Sequence, residues 1–367
     1  MKKVRICHLT SVHTRTDIRI FHKECVSLSD YFEVYLILAD GKGDEKISNI
    51  NIIDVGKPKG RIGRFLFTTK KIYKQAIKIN PEIYHFHDPE LIYIGTKLRK
   101  KNKTVFYDIH EDVPRQILAK SYILGPIRKI VSMYIEKVEN KYCREFNGLI
   151  CATPHINKRF LKINLKSINI NNYPILKEFN SIDKNWNQRD NSICYIGALS
   201  ADRGIFELIE SLRYSNYQLC LAGECESREI YDLITNSENS QKVKYYGTVN
   251  RKKIVEILSS SKIGIVTLRY TPNHFESLPI KMFEYMCAGM PVIASDFPLW
   301  KSIIEGNNCG ICVDPMKPEK IAEAVNYLIE NDEIAKKMGE NGRRAVMDKY
   351  NWETEKEKLI AIYKSCS

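Results

Sequence analysis

Residues 269–295 read RYTPNHFESLPIKMFEYMCAGMPVIAS. Ser277 is placed to cap a helix, and Pro279 suits a first helical turn, where its missing N–H costs nothing. Ile280, Phe283, Met286 and Cys287 follow at three- and four-residue spacing and give one apolar face. Gly289 is placed to end that helix, and Pro291 prevents its continuation. Val292, Ile293 and Ala294 then make a short buried strand. The stretch predicts a loop, a helix and a strand, with an open helix N-terminus over residues 276–279.

An open helix N-terminus carries unpaired N–H groups and the positive end of the helix dipole, which suits a phosphate. Lys281 adds a charge in the first turn, and Glu284 lies three residues on, along the same face. A carboxylate there can accept two hydrogen bonds from a vicinal diol such as a ribose. Glu276 can do the same for another hydroxylated ring. Two carboxylates, a basic residue and a phosphate cradle suit a nucleotide sugar. The same residues also fit a plainer description, an N-terminal acid and an i,i+3 Lys–Glu pair on a solvated face.

Glu276, seven intervening residues and Glu284, followed by YMCAGMPVIAS, resemble the E-x7-E element of the GT-B retaining glycosyltransferases of family 4. The neighbouring SLPIKMFEYM resembles members that build bacterial surface polysaccharides. The resemblance runs over nearly the whole chain. It implies an α/β fold of the GT-B type, two doubly wound Rossmann-like domains facing an interdomain cleft.

Length and composition agree with that expectation. A chain of 367 residues suggests two domains. Hydrophobic residues at 44% and charged residues at 28% are those of a globular protein, which excludes a disordered or fibrous class. No run of 18 apolar residues argues for a membrane span. The start, MKKVRICHLTS, does not read as a signal peptide, because Arg5 and His8 interrupt the apolar run; residues 4–9 read as a first buried strand. Eleven cysteines without a framework point to a reducing compartment, so the expected location is the cytoplasm. Net charge is +13, unevenly spread: residues 1–175 carry 32 Lys and Arg against 17 Asp and Glu, while the remainder is slightly acidic. That asymmetry suggests an anionic partner: nucleic acid, an anionic membrane surface or a pyrophosphate-linked acceptor.

In the first half, the loop TSVHTRTDIRIF follows the first strand and carries His13, Arg15 and Arg19, with no glycine. Ligands of open α/β sheets bind at the carboxyl ends of strands. The family often has glycines in this loop, and HTRTDIRIFHKE resembles the polysaccharide-building subset without them. Arg19 and Lys23 equally fit charges on a helix surface. A helix is expected near residues 21–29, a strand over 33–38, a polar loop from Gly41, and a basic loop GKPKGRIGR over 56–64. Residues 65–79 read as an amphipathic helix with Lys70, Lys71, Lys74 and Lys78 on its polar side, either a membrane-facing or a solvated face. Strands over 83–87 and 105–109 end in His87-Asp88-Pro89-Glu90 and His110-Glu111-Asp112. Their HxH and HED spacings match no closed zinc site, so no metal is expected. By resemblance His110 meets the donor sugar near the reacting carbon. His87, Asp88 and Glu111 are expected to line the same cleft, with His85 on the opposite strand face as core. A helix over 128–146, with Ile130, Tyr134, Val138 and Tyr142 at helical spacing, precedes a last strand over 148–152.

INNYPIL over 170–176 resembles the family's linker and places the boundary at Pro174. The expected domains are 1–174 on the acceptor side and 175–351 for the nucleotide sugar, with a helix over 352–367 packing back on the first. In the second half, strand-plus-glycine units end at Gly197, Gly223 and Gly247. A basic side chain at such a turn can hold a diphosphate. The family usually has two basic residues in the first of these loops; Arg203 keeps one, Ala198 lacks the other, and Lys281 or Arg269 is the candidate replacement. By resemblance Tyr246 lies near the base, although it equally fits a buried tyrosine of the sheet. Cys309 and Cys312 form a lone CxxC with no second pair and are read as structural.

The resemblance implies a retaining, metal-independent glycosyltransferase whose donor is a nucleoside diphosphate sugar, with no further cofactor. Gly197, Arg203, Lys281, Ser277, Leu278, Tyr246 and Glu284 are the expected donor-binding residues, with Glu276 and His110 at the reacting centre. His13, Arg15, Arg19, His87, Asp88 and Glu111 are expected on the acceptor side. The acceptor is expected to be a saccharide, lipid-linked, at an anionic membrane and without nucleic acid. A sugar-nucleotide epimerase, a non-catalytic nucleotide-sugar sensor and a nucleic-acid binder are the rival classes.

Overall fold

The computed structural model describes residues 3–119, 124–182 and 185–366. The chain divides into two compact units, Met1–Asn172 with Trp352–Ser367, and Tyr173–Asn351. Both are α/β domains built on a mainly parallel sheet.

The N-terminal unit holds β1 (Arg5–Leu9), β2 (Glu33–Leu38), β3 (Glu45–Ile47), β4 (Ile50–Asp54), β5 (Ile83–Phe86), β6 (Thr104–Ile109), β7 (Gly148–Cys151) and β8 (Ser167–Asn169). Their order in the sheet is β3-β4-β2-β1-β5-β6-β7-β8. All pairs are parallel except β3–β4. Strands that are covered on both faces read as continuous apolar runs, as RICHL and VFYDI nearly do. The interruptions, His8 and Asp108, are the informative residues, and both are fully buried.

Several local expectations need correction. The polar loop from Gly41 contains the β3–β4 hairpin, turned by Ser48 and Asn49 at φ of 48° and 64°. Two left-handed residues make the tight turn that matches strand twist, and Ser-Asn is a weak signal for it. Residues 148–152 are not the last strand, since β8 adds to the sheet beyond β7. The helix expected near 21–29 begins at Ile18 with wide turns, seen in the His22 N–H bond to Asp17 O at 3.2 Å. Arg19 and Lys23 are buried there rather than on its surface. In the helix Gly125–Tyr142 the apolar stripe faces outward at its start: Ile130 and Tyr134 are each 67% exposed. Only Val138 and Tyr142 of that stripe pack on the core. The helix Trp352–Lys364 sits in the N-terminal unit, where Trp352 Nε1 donates to Ser27 Oγ at 2.9 Å and Glu355 accepts from the Asn171 N–H at 3.0 Å.

The C-terminal unit holds β9 (Asp190–Ile196), β10 (Gln218–Ala222), β11 (Val243–Tyr245), β12 (Ser261–Val266), β13 (Val292–Ser295) and β14 (Gly310–Val313). The order β11-β10-β9-β12-β13-β14, all parallel, is doubly wound, with strand order reversing between β9 and β12. The helix Ile280–Cys287 lies in its core: every residue from Lys281 to Cys287 is buried, not one apolar face alone. Gly289, at φ of 69°, ends that helix. The Gly289 N–H reaches Met286 O at 3.0 Å and the Met290 N–H reaches Tyr285 O at 3.1 Å, a Schellman closure that L side chains adopt poorly. Arg189, also buried, takes the carbonyl of Ala288 at 2.6 Å and those of Leu258 and Ser261 at 3.1 and 2.8 Å. None of the eleven cysteines forms a disulfide, and Cys309 is buried with its thiol on Ile304 O.

Candidate functional site

In the C-terminal unit the site forms where strand order reverses. Lys281 enters from the first turn of the helix Ile280–Cys287 and is 6% exposed. Its Nζ stands 3.7 Å from the centroid of the Tyr195 ring and has no hydrogen-bond partner among the described residues. Tyr195 is itself fixed at the end of β9, its hydroxyl donating to Ala198 O at 3.1 Å. Gly197 follows β9 at φ of 134°, and a Cβ there would lie 2.6 Å from Lys281 Nζ. The glycine thus leaves the space that the ammonium occupies. Arg203 shares this corner. Burial first, and then the Arg203 charge, hold the Lys281 ammonium well below its usual pKa, while Glu284 opposes them. A buried cation without a partner is costly, and an arriving anion relieves that cost. Two cations and a helix N-terminus converge here, which suits a diphosphate.

Glu284 sits one turn further, 5% exposed, and pairs with Arg251 at 2.7 Å. Arg251 also holds Glu178 at 2.7 Å. Arg251 starts the helix Arg251–Ser260, which Asn250 caps by accepting from the Lys253 N–H at 3.0 Å. Sequence reading missed Arg251 and Glu178, since nothing local in VNRKK or LKEF marks them as partners of Glu284.

The loop before the helix departs from expectation. Ser277 does not cap it: its hydroxyl donates to His274 O at 2.9 Å, and Pro279 holds the cap position without a side-chain bond. Trp300 Nε1 fastens the Ser277 carbonyl at 2.8 Å, so the serine anchors the loop. Glu276 is exposed on this loop, and Leu278 packs on the core behind it. Arg269 is committed elsewhere, forked onto Glu207 at 2.6 and 3.0 Å, which leaves Lys281 as the cation facing Gly197. Tyr246 follows β11, half-buried, with Lys253 5.3 Å and Lys244 5.4 Å from its ring centroid.

In the N-terminal unit the side chains gather on Asp108, which the sequence reading did not single out. Asp108 accepts a fork from Arg19 at 2.7 and 2.9 Å. The same carboxylate meets His87 Nδ1 at 3.1 Å and His110 Nε2 at 2.5 Å. Burial raises its pKa, but Arg19 and His110 outweigh that and hold it well below the usual carboxylate range. A lone Asp in the apolar run VFYDI was the available signal, because a buried charge must be paired. Beside it, His13 Nδ1 lies 3.2 Å from Asp88, and the His13 and His110 rings are 5.3 Å apart.

The expected acceptor-side set therefore splits. Arg19, His87 and Asp88 are buried supports and His13 is partly exposed, as is His110, which was expected at the reacting centre. Arg15 does not join them: it forks onto Asp40 at 2.8 Å and reaches Glu45 at 2.7 Å. Glu111 is exposed. His85 shares a strand face with His87, two residues on, rather than lying opposite; their ring centroids are 4.5 Å apart.

Residues 177–345 match the family model of glycosyl transferases group 1. An uncharacterized glycosyltransferase of Methanocaldococcus jannaschii is 27% identical over 177 residues, covering 47% of this chain and 44% of the relative. The alpha-D-kanosaminyltransferase of Streptomyces kanamyceticus is 25% identical over 178 residues, 47% of this chain and 45% of the relative. The chain thus spans under half the length of these two relatives. In fold, it is similar to sucrose-phosphate synthase from Thermosynechococcus elongatus, with TM-score 0.78, 16% identity and 99% of each chain covered. HepE of Anabaena, solved with UDP and glucose, gives TM-score 0.74 at 15% identity, covering 99% of this chain and 100% of that one.

Proposed function

We propose that the chain is a retaining, metal-independent glycosyltransferase that takes its sugar from a nucleoside diphosphate sugar. The observation that carries this reading is Lys281, buried beside Gly197 and Arg203 and without a hydrogen-bond partner among the described residues. The group 1 match over residues 177–345, and relatives named as glycosyltransferases, support it.

Lys281, Arg203 and the N–H groups opening the helix stabilise the leaving diphosphate, where negative charge grows in the transition state. These groups do the work that a divalent ion does in other transferases. Glu284 takes the ribose hydroxyls, exchanging part of its pairing with Arg251 for them. Glu276 orients the sugar, and His110, held by Asp108, is the proposed sugar contact of the N-terminal unit.

The proposed acceptor is a lipid-linked saccharide of surface-polysaccharide assembly, met at an anionic membrane on its cytoplasmic face. The helical stretch from Gly60 to Ile79 supports that part. It exposes Ile62, Phe65, Leu66 and Phe67 beside Arg61, Lys70, Lys71, Lys74 and Lys78. Apolar side chains among cations suit a headgroup layer, with each cation adding about 1 kcal/mol near anionic lipid. No helix of the described residues is long and apolar enough to cross a membrane.

A thermal-shift screen against a panel of nucleotide sugars tests the reading. A ligand at about 100 times its Kd stabilises by ~2.7 kcal/mol. A flat response across the panel contradicts it. Loss of donor without an acceptor product would instead indicate an epimerase.

A further inference from the structure

Four side chains meet in the interior of the N-terminal unit, away from any role in donor binding. His8 on β1 and His85 on β5 are direct partners across the sheet. His87 follows one residue past β5, and Glu24 arrives from the wide-turned helix Ile18–Cys25. His8, Glu24 and His85 are each 0% exposed, and His87 is 2% exposed. One ligand-type atom from each lies within 4.8 Å of all the others.

The cluster's polar atoms are poorly served by protein alone. Among the described residues, Glu24 Oε1 and Oε2 have no hydrogen-bond partner in this sealed interior. Arg19 Nε lies 3.3 Å from Glu24 Oε1, an ion pair without a hydrogen bond. A carboxylate so placed needs a strong compensating charge.

The distances fit a metal ion. Glu24 Oε2 lies 3.6 Å from His85 Nδ1, 3.8 Å from His8 Nδ1 and 4.0 Å from His87 Nε2. Four ligands about 2.1 Å from a tetrahedral ion stand about 3.4 Å from one another. His8 Nδ1 and His87 Nε2 are closer, at 2.9 Å, and separate slightly on binding. His87 already has the outer partner that metal-bound histidines need: its Nδ1 faces Asp108 at 3.1 Å, which leaves Nε2 for the ion. His85 joins through Nδ1 once the Tyr363 hydroxyl, now 2.5 Å from it, turns aside.

We propose that His8, Glu24, His85 and His87 form a structural site for one divalent transition-metal ion, with zinc the best match to three imidazoles and a carboxylate. The HxH spacing hid this site because two of its ligands come from other elements. The ion pins His87, which bears on Asp108, which in turn holds His110. It is separate from the donor diphosphate, whose cradle lies in the other unit. Since the ligands are sealed, the ion enters during folding.

The test uses the full chain, produced in zinc-depleted medium supplied with cobalt. The expected result is about one cobalt per chain after gel filtration, with ligand-field bands in the visible. Sulfur-to-cobalt charge transfer in the near ultraviolet should be missing, which separates this site from the eleven cysteines. Glu24→Gln and His8→Gln should each lower the bound cobalt by about tenfold or more. Wild-type protein carrying under about a tenth of an equivalent of cobalt, and no zinc when zinc is supplied, overturns the site whatever the variants do. Cobalt with sulfur charge transfer overturns it too.

Discussion

Lys281 Nζ rests 3.7 Å from the centroid of the Tyr195 ring, and no hydrogen bond reaches it from the described residues. The ring face offers the ammonium some attraction, but far less than water would. The position is one a protein keeps at a cost, which is why the proposed donor site is centred on it.

Lys281→Met is expected to make the ligand-free protein less pH-dependent. Burial, and then Arg203, lower the Lys281 pKa in the folded state from 10.5. The unfolded chain therefore binds the proton more readily, and wild-type stability rises with pH from the folded pKa up to 10.5. The variant lacks that slope. Denaturant unfolding of both proteins across this range measures the difference, and parallel curves would count against a buried lysine.

Glu284→Ala is expected to weaken nucleotide binding by about 1.5–3 kcal/mol through loss of charged hydrogen bonds to the ribose. Arg251 keeps Glu178 at 2.7 Å, so the fold should survive. Unchanged affinity in a calorimetric titration of a folded variant removes Glu284 from the site.

The His13–Asp88 pair is expected to stabilise the N-terminal unit within a limited pH window. Burial pushes the Asp88 carboxyl up, but His13 and the Ser11 and Thr10 bonds outweigh this and hold it at about 2. Its contribution is present above 3.8 and is lost as pH falls toward 2. Burial lowers and Asp88 raises the His13 pKa, with a net rise above 6.5. That contribution is full below 6.5 and is lost as pH rises through the folded value. The stability gap between wild type and His13→Gln should therefore be larger at about pH 5 than at about pH 9. Equal gaps would show that the pair is not an ion pair.

Binding to anionic vesicles is expected to be reversible and to fade with salt. Replacing Lys70, Lys71, Lys74 and Lys78 with Gln should weaken it, and Phe65→Ser with Phe67→Ser should weaken it at any salt. Both changes should leave nucleotide affinity intact. Protein that stays in the bottom fraction of a flotation gradient with anionic and neutral lipids alike contradicts the membrane contact.

The strands β1, β2, β5, β6, β7, β9, β10, β11 and β13 were legible as apolar runs, several of them ended by glycine or a His-acid pair, whereas β3, β4, β8 and β12 were not read. The helix Ile280–Cys287 was legible too, from Gly289 and its apolar spacing. Its burial on all sides was not, since Lys281 and Glu284 look like surface charges until the sheet is placed around them. The short hairpin at Ser48 and Asn49 escaped because strands of this length carry little pattern. Asp108, Glu24 and Arg251 escaped for a different reason. Their partners, His85 in the case of Glu24, lie far off in sequence, and pairing across a fold leaves no trace in local spacing.

The central claim is that the Lys281 cradle holds the diphosphate of a nucleotide sugar. Calorimetric titration of wild type and Lys281→Met with a panel of nucleoside diphosphates and their sugars measures it directly. At least one ligand should bind wild type without added divalent metal, with proton uptake seen as a buffer-dependent enthalpy. Lys281→Met should lose about 1.5–3 kcal/mol of that affinity. Binding by wild type and variant with equal affinity, or binding only with added magnesium or manganese, would contradict the account.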